Sequence, residues 1–129
     1  MVAAKAPQPV KQPTLARSDQ FLGSGSLVGL AHNLVVQLFG ESNWQAFYNI
    51  VSNESGWVVG RMNTTCQAAY GYRPDLCATG LGQAYPGTKM GSSCIGNAEC
   101  ELRWTIGYIQ ERYQTPNNAL AYWQKEKSY

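Results

Sequence analysis

The chemistry of this chain starts at Ser52-Asn53-Glu54-Ser55-Gly56-Trp57. Ahead of it, Ser42 and Gln45 have the Ser-x-x-Gln spacing of a capping box, which predicts a helix over Ser42–Val51. Trp44, Phe47, Ile50 and Val51 recur at helical spacing and form one apolar stripe. Continuing that register carries Glu54 toward the buried side, near the helix C-terminus. Gly56 supplies the stop, because glycine accepts the left-handed conformation such an end needs. A carboxylate placed there meets the negative end of the helix dipole and is partly withdrawn from water. Both effects disfavour its charge and raise its pKa. A carboxyl that keeps its proton near neutral pH is what general acid catalysis requires. The competing reading of Glu54 is a surface charge on a frayed last turn.

A second stretch with chemical content is Ala78-Thr79-Gly80-Leu81-Gly82-Gln83-Ala84-Tyr85-Pro86-Gly87. Two glycines beside one amide predict a backbone passing close to a ligand, with Gln83 able to donate and accept. It is not a phosphate loop, since neither a Gly-Lys-Ser/Thr ending nor a preceding apolar strand is present. His32 lies off the stripe of its own segment and is expected to face solvent or cap a helix. The four cysteines allow three pairings. The two local ones, Cys66–Cys77 and Cys94–Cys100, are preferred, and reduced thiols are the alternative. A zinc site is disfavoured by the lack of a Cys-x-x-Cys pair and of a nearby histidine, and no metal or cofactor is expected. Disulfides place the protein in an oxidising, extracellular setting.

The elements that must position these residues fit one domain of 129 residues. Ten basic against eight acidic side chains leave a charge of only +2, which gives no ground for a nucleic-acid partner. No apolar run reaches the roughly 20 residues that span a bilayer, so no membrane insertion is expected. Met1–Ser18 holds Pro7, Pro9 and Pro13 and lacks the apolar centre of a signal peptide. Residues 1–20 are therefore assigned to a flexible proline-rich linker or tail and 21–129 to the folded domain. After a Gly/Ser-rich hinge over Phe21–Ser26, the residues Leu27, Leu30, Ala31, Leu34, Val35 and Leu38 predict a helix closed by Gly40. Val58–Cys77 is turn-rich and reads as an irregular lobe with a short hairpin. Glu99–Tyr113 is a helix with Leu102, Ile106, Ile109 and Tyr113 on one face. Thr115-Pro116 opens the last helix, which ends in the basic Lys125-Glu126-Lys127.

Three motifs now stand in order: Glu54-Ser55, Gly80-Leu81-Gly82-Gln83 and Ala119-Leu120-Ala121-Tyr122. Together they resemble the Glu-Ser, Gly-Leu-x-Gln and Ala-x-x-Tyr motifs of the lytic transglycosylase and goose-type lysozyme superfamily. Ile106-Gly107-Tyr108-Ile109 with Tyr113 is similar to the family's intervening helix, and Gln83–Met90 to its small secreted or phage-borne members. The resemblance covers Trp44 to Trp123. It implies an α+β, mainly α, lysozyme-like fold with a loop-rich, disulfide-tied middle lobe, and a cleft for peptidoglycan glycan strands. Glu54 is then the catalytic residue, protonating the bridging oxygen between N-acetylmuramic acid and N-acetylglucosamine. As a carboxylate it next takes the proton of the muramyl C6 hydroxyl, which closes a 1,6-anhydro ring. Gln83 would bind an N-acetyl or hydroxyl group and Tyr122 would orient Glu54. Ser55, Tyr85, Tyr108 and Tyr113 complete the implied substrate-binding set, with Trp123 as a further lining residue. Core packing is the alternative role for Tyr108 and Tyr113. The resemblance also implies a cell-wall or virion location and a monomer or one domain of a longer protein.

Two rivals remain at this level. Inverting hydrolysis by a lysozyme needs a second carboxylate roughly 6.5–9.5 Å from the acid. Asp75, the one acid between the first two motifs, sits beside Pro74, where a turn explains it equally well. Glu41, Glu99, Glu101 and Glu111 read as helix-end or surface charges. A catalytically silent wall-binding domain is the other rival, against which an intact Glu54 argues. Asn53 and Asn63 both head glycosylation sequons. A glycan on Asn53 would crowd Glu54, which favours a bacterial or phage origin.

Overall fold

A computed structural model describes residues 25–126. The proline-rich segment 1–20, the start of the Gly/Ser stretch and Lys127 lie outside the described residues. The helices are α1 (Gly25–Phe39), α2 (Trp44–Ser55), α3 (Thr64–Tyr70), α4 (Ala98–Tyr113) and α5 (Pro116–Glu126). Among the described residues, β pairing is limited to two isolated bridges, Met62 with Thr79 and Thr79 with Ala84. The fold is mainly α, and the sheet component expected of an α+β class is reduced to those bridges.

Four helices make the body. α2 packs against α5 and α1, and α4 against the same two. The core is built from the predicted stripes: Ala31 and Val35 of α1, Trp44, Phe47, Ile50 and Val51 of α2, and Leu102, Ile106, Ile109 and Tyr113 of α4. Ala119 of α5 and Leu81 of the middle lobe complete it. Each fully buried Phe, Ile or Leu contributes about 1.5–3 kcal/mol. That burial fixes how the helices face one another.

Three local expectations are corrected. α1 already begins at Gly25, inside the stretch expected to be a hinge. Ser42 is not the N-cap of α2, because Glu41–Asn43 winds into a 3-10 turn and the helix starts at Trp44. Gln45 reaches forward to Asn49 instead of back to a capping partner. The polar work passes to buried Asn43, whose Nδ2 donates to Phe39 O at 3.0 Å and whose Oδ1 accepts from Asn117 N at 3.0 Å. One amide thus ties the end of α1 to the start of α5. Third, the middle lobe holds the short helix α3 in place of a hairpin, capped by Asn63 Oδ1 accepting from Cys66 N at 2.9 Å.

Other expectations hold. Cys66–Cys77 and Cys94–Cys100 are the two disulfides. Thr115 Oγ1 accepts from Asn118 N, capping α5 as its sequence predicts. His32 is the exception: expected to face solvent or cap a helix, it is half-buried, with its Nε2 2.9 Å from Glu41 Oε1 and its ring edge-on to Trp44. No helix among the described residues is long and apolar enough to cross a membrane.

Candidate active site

Gly56 ends α2 at φ 64°, and its N–H reaches both Val51 O and Ser52 O. Trp57 follows at φ 65°, a left-handed conformation that costs an L-residue about 1–2 kcal/mol. Its ring offsets that cost by packing near Trp44, Phe47 and Tyr48, and its Nε1 donates to Ser52 Oγ at 3.1 Å. The double left-handed turn brings the chain back over the apolar side of α2. Glu54 is left half-buried on the last turn.

Two tyrosines of a second helix lie near it, and a third tyrosine, from another helix, packs beside them. Tyr108 and Tyr113 come from α4, Tyr122 from α5. Ring centroids lie 5.3 Å apart for Tyr113 and Tyr122, and 6.5 Å for Tyr108 and Tyr113. Burial is the main cause that raises both α4 phenols; the charge of Glu54 adds to it, while Arg112 pulls the other way. Tyr113 is pushed up to about 12. The Glu54 carboxylate is therefore within electrostatic reach of both rings. Both phenols keep their protons at neutral pH and stay hydrogen-bond donors. The Tyr113 hydroxyl is buried with no hydrogen-bond partner among the described residues. Tyr122 is 44% exposed and forms the rim of the cluster.

Ser55 does not face a ligand. It is 1% exposed, its hydroxyl donates to Val51 O, and its Oγ accepts from Trp57 N. Its role is to hold the turn that follows Glu54. Gln83 is likewise committed inward. It sits at φ 54° and is buried, and its Nε2 donates to Arg61 O at 2.7 Å and Gly80 O at 2.9 Å. The donor half of the amide thus fastens the Gly80–Gln83 turn to the segment after α2. The two glycines serve packing on α4 and not a ligand's approach. A Cβ on Gly82 would lie 2.4 Å from Thr105 Oγ1, and one on Gly80 would crowd Glu101 and Met90. Tyr85 is exposed on the loop beyond.

The largest departure is Glu101, which stands in the first turn of α4 as expected but is not a surface charge. It is fully buried. Its Oε1 accepts from Gly60 N at 3.0 Å and Leu81 N at 2.9 Å, and its Oε2 from Gly96 N at 2.7 Å. One carboxylate collects the turn after α2, the Gly80–Gln83 turn and the disulfide loop before α4. Burial raises its pKa, against the three N–H groups, which favour the charged form. With both oxygens occupied by backbone, Glu101 is a positioning residue for the loop that carries Gln83.

Asp75 is equally committed. Arg73 grips both its oxygens, at 2.9 and 2.7 Å. That bidentate bond holds the exposed carboxyl below its usual range and makes it a weak base. Trp104 and Arg112 also border the cluster, Trp104 stacking on Tyr108 and Arg112 lying over the same ring. Their i, i+4 spacing with Tyr108 puts the three side chains on one face of α4, beside the buried stripe of the same helix. Among the described residues no group of three or more His, Cys, Asp and Glu side chains is placed to hold a metal ion.

Comparison with family models, curated proteins and solved structures finds no match to the chain. The cluster at Glu54 is thus read from its own chemistry.

Proposed function

We propose that this protein is a peptidoglycan-cleaving lytic transglycosylase in which Glu54 acts first as acid and then as base. The observation that carries the reading is the position of Glu54 at the C-terminal turn of α2, near Tyr108 and Tyr113 of α4, whose ionisation its charge opposes. A sugar alkoxide is too basic to leave unaided, so the departing oxygen needs a proton from a positioned carboxyl. Tyr108 and Tyr113 remain protonated at neutral pH, and Tyr122 borders the opening. Closure of the 1,6-anhydro ring needs no second carboxylate. This suits a chain in which Glu101 is saturated by backbone N–H groups and Asp75 by Arg73. The two disulfides fit an extracellular site of action at a cell wall or on a virion.

Digestion of purified peptidoglycan with the parent and with Glu54→Gln, followed by mass spectrometry, tests the reading. The parent is expected to give 1,6-anhydro-muramyl ends, one water lighter than hydrolysed ends, and the variant none. Reducing ends would assign lysozyme chemistry. Binding without cleavage by either protein would leave a wall-binding domain.

A further inference from the structure

The outer face of α4 carries a trough beyond the Glu54 cluster. Lys89, Arg103, Trp104, Gly107, Tyr108 and Arg112 line a groove of about 650 Å³. A second hollow of about 600 Å³ continues it past Arg103 and Trp104 to Met90 and the Cys94–Cys100 disulfide. Trp104 and Tyr108 stand one helical turn apart and stack, with centroids 5.1 Å apart and planes 18° from parallel. Their rings face each other, so the outer face of Trp104 is the apolar wall of the groove. Arg112, a further turn on, lies 5.6 Å over the Tyr108 ring. Three cations rim the groove against one anion, Glu111, with Arg103 also engaging Glu99 through its Nε at 2.7 Å.

Gly107 sets this face apart. A glycine inside a helix weakens it relative to alanine. The common structural reason is a neighbour too close to admit a Cβ, as Thr105 is to Gly82. At Gly107 an added Cβ would meet nothing within 4 Å. Packing does not call for the missing side chain, and the open space above it is the floor of the trough.

We propose that this trough binds a carboxylate-bearing carbohydrate strand, with a sugar ring flat on the outer face of Trp104, the chain passing over Gly107, and carboxylates meeting Lys89 and Arg112. The inference rests on the wall-glycan reading of Glu54, because Tyr108 belongs to both sites. The trough extends that site along α4 and makes the protein prefer strands that keep their acidic stem peptides over neutral sugar chains. Aromatic faces take the apolar side of a pyranose, and cations at the rim supply charge complementarity.

The test uses full-length Glu54→Gln protein, so that binding is read without turnover. It is titrated with soluble, peptide-bearing glycan strands and with neutral chitooligosaccharide. Gly107→Gln adds a long side chain from a good helix former. It is expected to raise the thermal midpoint while weakening strand binding about tenfold, the two readouts moving in opposite directions. Lys89→Ala is expected to weaken strand binding about threefold at low salt, with the difference lost at high salt and absent for chitooligosaccharide. Unchanged strand binding by both variants overturns the trough, and if the parent still cleaves peptidoglycan the Glu54 reading survives it. Weakened binding by both variants beside a parent that does not cleave supports the trough and removes the Glu54 reading.

Discussion

Replacing Glu101 with Gln keeps the shape of the side chain and removes its charge and one acceptor. The amide oxygen can still serve Gly60 N and Leu81 N, but an NH₂ group now confronts Gly96 N, whose bond to the carboxylate is the shortest of the three at 2.7 Å. One hydrogen bond to a charged group is lost, worth about 1.5–3 kcal/mol, and the relief of no longer burying a charge offsets part of it. Glu101→Ala strips all three buried N–H groups of their partner and is expected to cost more, about 3–5 kcal/mol. Denaturant unfolding of the parent and both variants measures these losses. The pH dependence is the sharper test, because burial and the three N–H groups pull in opposite directions. The folded pKa is raised above the ordinary 4.5, so the native state holds this proton more tightly than the unfolded chain does. The resulting contribution to stability is fully present below about pH 4.5 and is lost as pH rises through the folded pKa. The advantage of the parent over Glu101→Gln should therefore shrink on going from the carboxylate range toward neutral pH. An advantage that grows with pH would show that the N–H groups outweigh desolvation. A Glu101→Ala variant within about 0.5 kcal/mol of the parent would refute the account of Glu101 as the tie between three loops.

Gly82→Ala forces a methyl against Thr105 Oγ1 at 2.4 Å and is expected to destabilise by about 1–3 kcal/mol, measured by denaturant unfolding. Adding Thr105→Ala should recover part of that loss, and strict additivity of the two would show that they do not touch. Tyr113→Phe removes a buried hydroxyl that has no partner among the described residues; stability is expected to hold or rise by about 1 kcal/mol while peptidoglycan cleavage slows. A loss of stability together with unchanged cleavage would mean that the hydroxyl serves the fold and not a ligand.

What the sequence by itself determined is local. The stripe Trp44, Phe47, Ile50 and Val51 predicts the buried face of α2, because side-chain direction repeats with the helical period within one element. Gly56 and Thr115 mark helix ends for the same reason, since caps act on backbone groups only a few residues away. The cysteine pairs were legible because each partner lies close in sequence. Position along the helix predicts the partly buried place of Glu54 at the end of α2, for the same reason of local periodicity.

What only the tertiary structure decided depends on partners far along the chain. Glu101 reads as an ordinary first-turn acid of α4, and nothing near it in sequence announces that Leu81 and Gly60, 20 and 41 residues upstream, will bring their N–H groups to it. Ser42 and Gln45 have the spacing of a capping box, yet Asn43 takes the polar work because its side chain spans the gap between α1 and α5. Gln83 and Ser55 have the chemistry to meet a ligand, and their hydroxyl and amide N–H groups are instead consumed in holding backbone. Burial is a property of the packed whole. The same polar group serves a ligand where the fold leaves it open and serves the fold where backbone reaches it first.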